Sequence, residues 1–279
     1  MKVEAEVRAV ARAAARPAAA HERWPVRVLL HNVLAALAVL AVWQAATWLV
    51  HSVFFPSPLQ VWRAMGDLWV NGDVTGNSLL THIRWSLFRL LAGFSMGVVL
   101  GVPLGLLMGL YKPLYIGTRA ALEPFRFIPP IAWIPLTIVL LSGFSRYVFL
   151  IWLGAFFPIF VATLVGVPRV DLIHKNVAKV HGAGRWYILT RVVIPSVLPD
   201  ILGGMRVGMG TAWMTIVAAE MSGGETTGIG RMMVNYAELL RIPEIVVGMI
   251  LIGVLGLLMN EVLIRIEKRL FRWRWEVSL

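Results

Sequence analysis

Several apolar stretches of roughly 18 residues or more recur along this sequence, and each is long enough to cross a bilayer as a helix. We place six such spans at about 28–50, 84–110, 121–141, 147–167, 201–221 and 244–263. The expected fold is therefore an all-α integral membrane protein. Its transmembrane domain covers 28–263, between a basic N-terminal tail (1–27) and a basic C-terminal tail (264–279). The first apolar run is too long for the core of a signal peptide. Composition agrees, with 58% hydrophobic and 15% charged residues, where soluble domains carry about 25% charged. A net charge of +11 could point to nucleic acid. Here, however, the Lys and Arg residues gather at the ends of the apolar spans, so the expected partner is the lipid bilayer and not nucleic acid. With no cysteine, disulfides and thiolate metal sites are excluded.

Those charges also orient the chain. Six spans put the N-terminal tail, the 111–126 loop, the 168–191 loop and the C-terminal tail on one side. Together they hold 19 of the 26 Lys and Arg residues, and the positive-inside rule makes that side cytoplasmic. Trp43, Trp48, Trp273 and Trp275 sit near span ends, where interfacial anchors belong.

The longest polar interruption runs from Asp171 to Pro199. It reads as two short helices joined at Gly182-Ala183-Gly184, whose glycines accept positive φ and permit a sharp turn. Ile173, Val177 and Val180 share one face of the first helix, Lys175 and Lys179 another, and Asp171 stands where a carboxylate caps an N-terminus. The second helix is expected to stop at Pro195. A small, hinged, basic protrusion between two membrane spans suits a handle for a soluble partner.

Asn176-Val177-Ala178, then Gly182, then IPSVLP at Ile194–Pro199 follow the order of the cytoplasmic loop in permease subunits of binding-protein-dependent ABC importers. Asn176 stands where that pattern begins with Glu. The stretches RVVIPSVLPDILGGMRVGMGTAW, Ala218–Met221 and RFIPPIAWIPL (Arg126–Leu136) resemble the nitrate/sulfonate/taurine/bicarbonate branch, and the likeness runs from about Phe55 to the C-terminus. The resemblance implies a type I importer permease of MetI-like architecture with no cofactor of its own. It also implies a separate cytoplasmic ATPase carrying ATP and Mg, docked on the 171–199 loop through Asn176, Val177, Ala178, His181, Gly182 and Ala183. An external solute-binding protein and a second permease copy, as a homodimer, complete the assembly. The implied solute is a small oxyanion or sulfonate such as nitrate, taurine, an alkanesulfonate or bicarbonate. Organic nutrients such as pyrimidine precursors remain open within the family.

Within the spans, Gly93, Gly97, Gly101, Gly105 and Gly109 recur every fourth residue and form a face that another backbone can approach closely. The stripe serves either packing within the chain or a seam between two copies. Gly204 and Gly208 repeat the spacing in the fifth span. Pro129, Pro130 and Pro135 break the third span around Trp133. Each proline removes an amide donor, and the freed carbonyls belong against protein or a wet cavity. Pro129, Pro130, Trp133, Arg206 and Glu220 are thus candidates for the translocation pathway, Arg206 either as a cation steering an anion or as a member of a structural ion pair or a side chain snorkelling to the interface. Glu220 reads as an interfacial, hydrated or gate-stabilising carboxylate in preference to a direct substrate contact. Fourteen residues apart, it and Arg206 cannot pair within their own span.

No stretch matches the phosphate-binding pattern G-x-x-x-x-G-K-[ST], so ATP hydrolysis belongs to another chain and this one is not expected to be an enzyme. The histidines show no metal-ligand spacing. An ATP-independent channel or secondary carrier is the alternative from another class.

Overall fold

The computed structural model describes residues 24–270. The N-terminal tail before Trp24, and Arg272, Trp273, Arg274 and Trp275 of the C-terminal tail, lie outside the described residues. The chain divides into two units, Met1–Gln60 and Val61–Leu279.

In the first unit, α1 (Trp24–Val50) is a 27-residue apolar helix. The Trp43 indole donates to Pro56 O at 3.0 Å and so fastens the turn that follows, while Trp48 is exposed. Helix α2 (Pro58–Val70) begins at the unit boundary and buries Val61, Ala64 and Leu68, the one-sided spacing of an amphipathic helix.

In the second unit, α3 (Leu79–Leu110) starts at Ser78, whose hydroxyl accepts from Thr81 N. Next come α4 (Lys112–Phe127), a 3₁₀ turn (Pro130–Trp133), α5 (Ile134–Leu140) and α6 (Gly143–Arg169). The polar interruption holds α7 (Leu172–Val180) and α8 (Arg185–Ile188), and then α9 (Ile194–Met221), α10 (Ile229–Glu238) and α11 (Ile242–Leu270) complete the chain. Five helices among the described residues are long and apolar enough to cross a membrane; α1, α3, α6, α9 and α11 supply them.

The segment expected as a third span, 121–141, is not one helix. It consists of the end of α4, an extended step at Ile128-Pro129, the 3₁₀ turn and α5. Consecutive prolines push the residues before them into extended geometry, and Ile128 (ψ 114°) and Pro129 (ψ 137°) adopt it. Only Pro130–Leu140 of this segment is an apolar helical piece, and it is short. An aromatic ladder ties it to α6: Trp133 stacks on Phe125 (centroids 6.2 Å apart) and meets Phe149 edge-on at 6.4 Å.

Helix α6 is the central element. The α3 glycines face it in step, for a Cβ at Gly93, Gly97, Gly101, Gly105 or Gly109 would meet Ile151, Ala155, Ile159, Thr163 or Val167 at 2.5–3.2 Å. Two helices each with a period of four thus pack backbone to backbone, and the stripe is filled from within the chain. On the other side of α6, Gly204 and Gly208 of α9 lie against Pro158 O and Ala155 O, both at 3.0 Å from where a Cβ would stand. Around these contacts a single apolar cluster forms, with Leu150, Ile151, Ala155 and Ile159 of α6 and Ala212 and Ile216 of α9 fully buried. Helix α11 joins through Trp213, whose indole donates to Ile252 O at 3.1 Å.

The second helix of the polar interruption does not stop at Pro195. A π-helical turn at Leu189–Val193 joins α8 to α9, and Ile194 N–H reaches back to Leu189 O. The wider turn makes room ahead of Pro195, whose ring and missing N–H would not fit an unbroken α-helix.

Candidate functional site

The hinged protrusion is the first of three candidate regions. Asp171 caps α7, its carboxylate accepting from Ile173 N at 2.8 Å. At the far end Gly182 N–H donates to Lys179 O (2.9 Å) and Ala183 N–H to Ala178 O (3.0 Å), and Gly182 has φ +79°. This is the paired closure that ends a helix on a left-handed residue. A Cβ at Gly182 would meet no atom within 4 Å, so the backbone angle, not space, requires glycine. No residue of α7 is buried. Ile173, Val177 and Val180 are 66%, 52% and 85% exposed, an apolar face with nothing on it. Between α7 and the α8–α9 segment lies a groove of about 1040 Å³, lined by His174, Tyr187 and Arg191 together with Val177, Ala178, His181, Gly182 and Ala183. Asn176 is exposed and lies outside it.

The second region is a cavity of about 820 Å³ bounded by the broken segment, α6 and α9. Pro129 and Pro130 line it, and Trp133, Arg206 and Glu220 do not. Its wall is mostly apolar. Thr211 and Thr215 turn their hydroxyls to Gly154 O and Thr211 O (both 2.7 Å). Its charged groups are Arg126, Arg169 and Asp200. Arg169 Nη1 stands 3.4 Å from Asp200 Oδ1, whereas Arg126 stacks over Phe127 at 4.8 Å. Arg126 thus carries the cavity's unneutralised charge. The expected cation, Arg206, points instead to α11, where it pairs with Glu267.

The third region closes the opposite end of the helices. Glu220 is 1% exposed. Its carboxylate accepts from Ser86 Oγ (2.8 and 2.9 Å), Arg89 Nη1 (2.9 Å) and Gly230 N (3.1 Å). Arg89, 2% exposed, also donates to Thr227 O (2.7 Å) and Thr227 Oγ1 (3.0 Å). Ser86 Oγ accepts from Ile229 N–H at 3.0 Å, and Gly228 N–H donates to His82 Nδ1 at 3.0 Å. The same Nδ1 lies 3.0 Å from Gly228 O, and Nε2 stands 3.2 Å from Asp73 Oδ2. The network clamps the 222–230 loop to α3 and α9. Sequence reasoning singled out Glu220 but missed His82, Ser86 and Arg89. Their spacing of four and three puts them on one face of a helix, a legible signal. Among the described residues no cluster of His, Asp or Glu could hold a metal ion.

These features coincide with a known class of protein. Residues 97–275 match the family model described as binding-protein-dependent transport system inner membrane component. The taurine transport system permease protein TauC of Escherichia coli is 31% identical over 261 residues, 92% of this chain and 94% of that one. The nitrate import permease protein NrtB of Synechocystis sp. is 32% identical over 217 residues, 76% of this chain and 78% of that one. Among solved structures, a chain of the inward-facing MetNI methionine ABC transporter superposes with a TM-score of 0.59 at 21% identity, covering 69% of this chain and 97% of that chain. That likeness speaks to the fold, which is MetI-like. With its apolar helices packed on α6 and its solvent-facing hinged helix between spans, the chain belongs to the inner-membrane components of binding-protein-dependent transport systems, the permeases of ABC importers.

Proposed function

We propose that this permease carries a small oxyanion or sulfonate along the Pro129–Pro130 cavity, driven by a separate ATPase that grips α7. The observation that carries the reading is the bare apolar face of Ile173, Val177 and Val180 on a helix capped at Asp171 and hinged at Gly182. Apolar side chains exposed on a hinged helix between spans need a protein partner to cover them. The gathering of Lys and Arg around this loop and the other loops and tails expected on its side supports a cytoplasmic placement of that helix. An external solute-binding protein delivers the solute at the opposite end, near the 222–230 loop. A second copy of the chain completes the pathway. The α3 glycines are occupied by α6, which leaves Gly203, Val207, Gly210 and Met214 of α9, exposed at helical spacing beside the cavity, to face it. The anionic substrate class is supported by the names of two relatives, taurine and nitrate permeases, and by the free charge of Arg126 on the route.

Gly182 tests the coupling. A β-branched residue at positive φ costs about 1–3 kcal/mol in local strain. In Gly182→Val, the chain inserts at normal levels, loses copurification of its ATPase and abolishes uptake of the solute. Near-normal uptake at normal expression removes α7 as the coupling element.

A further inference from the structure

A second cavity, of about 640 Å³, lies at the α7 end of the helices, where the end of α3, the start of α4, the end of α6 and α7 meet, and it shares Val165 and Arg169 with the first. Its wall includes Met108 and Leu164, which are buried, and Leu110 and Val165, which are 40% and 44% exposed. Three cations from three elements line it as well: Lys112 of α4, Arg169 of α6 and Lys175 of α7. No acid does. Among the described residues neither Lys112 nor Lys175 has an acidic partner within ion-pair distance, and Arg169 shares Asp200 at 3.4 Å. Lys175 is half-buried although its helix is otherwise largely exposed. The N-terminus of α4 opens here without a side-chain cap, adding the partial positive charge of its first amides.

A basic rim over an apolar wall suits an amphipathic anion. A soluble oxyanion would leave the wall uncovered, whereas basic pockets between helices at the cytoplasmic face fit phospholipid head groups. We propose that this cavity binds an anionic membrane phospholipid, its phosphate among Lys112, Arg169 and Lys175 and an acyl chain along Leu110 and Val165. Because Lys175 belongs to α7, the bound lipid ties the coupling helix to the end of α6. The inference rests on the proposed function only for the cytoplasmic placement of this end and for the coupling role of α7.

The test is lipid retention by the purified full-length chain. The chain is exposed to mixed phosphatidylglycerol and phosphatidylcholine vesicles, re-extracted in mild detergent, and read by native mass spectrometry. Wild type retains phosphatidylglycerol over phosphatidylcholine. The Lys112→Gln/Lys175→Gln variant loses that preference by about twenty-five-fold, since each basic side chain at an anionic surface is worth about fivefold. Lys112→Arg/Lys175→Arg keeps it, as does Arg265→Gln/Arg269→Gln, a control on α11 at the same end. Equal retention in the Lys→Gln variant overturns the site, as does equal loss in the control. Displacement of the lipid by inorganic phosphate also overturns it, because the cavity would then be a soluble-anion site. Retention needs no ATPase, so a chain that holds the lipid but docks no ATPase contradicts the coupling reading and leaves this one standing.

Discussion

Arg89 and Glu220 illustrate what an ionisable side chain requires inside a membrane helix. Each is almost wholly buried, and the carboxylate has three separate donor groups besides its share of the guanidinium's charge. Removing one partner of such a pair leaves the other charge uncompensated, at about 3–5 kcal/mol. Glu220→Gln therefore lowers the melting temperature of the detergent-solubilised chain and its yield in membranes. Arg126 stands in another position, at a cavity wall and without an acid. Arg126→Gln leaves melting unchanged and reduces uptake of an anionic solute, while Arg126→Lys keeps more of it because a cation remains. Equal melting of Glu220→Gln and wild type would refute the clamp, and full uptake by Arg126→Gln would refute the steering. The sequence marks Glu220 and Arg206 as unusual within a span, but the wheel of a single helix does not say which neighbour each side meets. Arg206 meets Glu267 on α11, sixty-one residues away, a pairing that only tertiary packing reveals.

The same boundary separates what the elements disclose from what they hide. Five glycines every fourth residue announce a close helix crossing, and the crossing partner is α6, whose Ile151, Ala155, Ile159, Thr163 and Val167 keep the same period. A reader with both stripes in hand could have matched them. Gly97 gives a clear test because Ala155 is the smallest of those partners and even its Cβ lies 2.8 Å from where a Cβ on Gly97 would stand. Overpacking at a crossing of this kind costs about 1–3 kcal/mol. Gly97→Leu is expected to reduce folded yield, whereas the same change at Gly117, where no atom lies within 4 Å, leaves it unaffected; equal yields would contradict the packing. Prolines were read less well. Pro129 and Pro130 announce a break, but not that α4 would precede it with no buried residue. Pro195 marks a stop by its missing N–H, but the backbone absorbs it with one π turn because an i→i−5 bond tolerates what an i→i−4 ladder does not.

At the scale of the whole molecule, membrane class and helix content follow from apolar length alone, since a bilayer admits few other solutions. The cavity and the buried clamp do not, because they depend on side chains far apart in the sequence, from Arg126 to Thr215 in the cavity and from His82 to Gly230 in the clamp. Orientation is tested by labelling. A cysteine at Lys175 in this cysteine-free chain reacts with an impermeant thiol reagent from the cytoplasmic side only, and one at Glu225 from outside only; labelling of both from one face contradicts the topology. The most direct measurement concerns the partner on α7. A photoreactive side chain at Val177 is crosslinked in native membranes and the product identified by mass spectrometry. The account predicts an adduct with a cytoplasmic protein bearing the G-x-x-x-x-G-K-[ST] motif, lost in the Gly182→Val background. A transport-competent chain that crosslinks at Val177 to lipid alone, or to no ATP-binding protein, would contradict it.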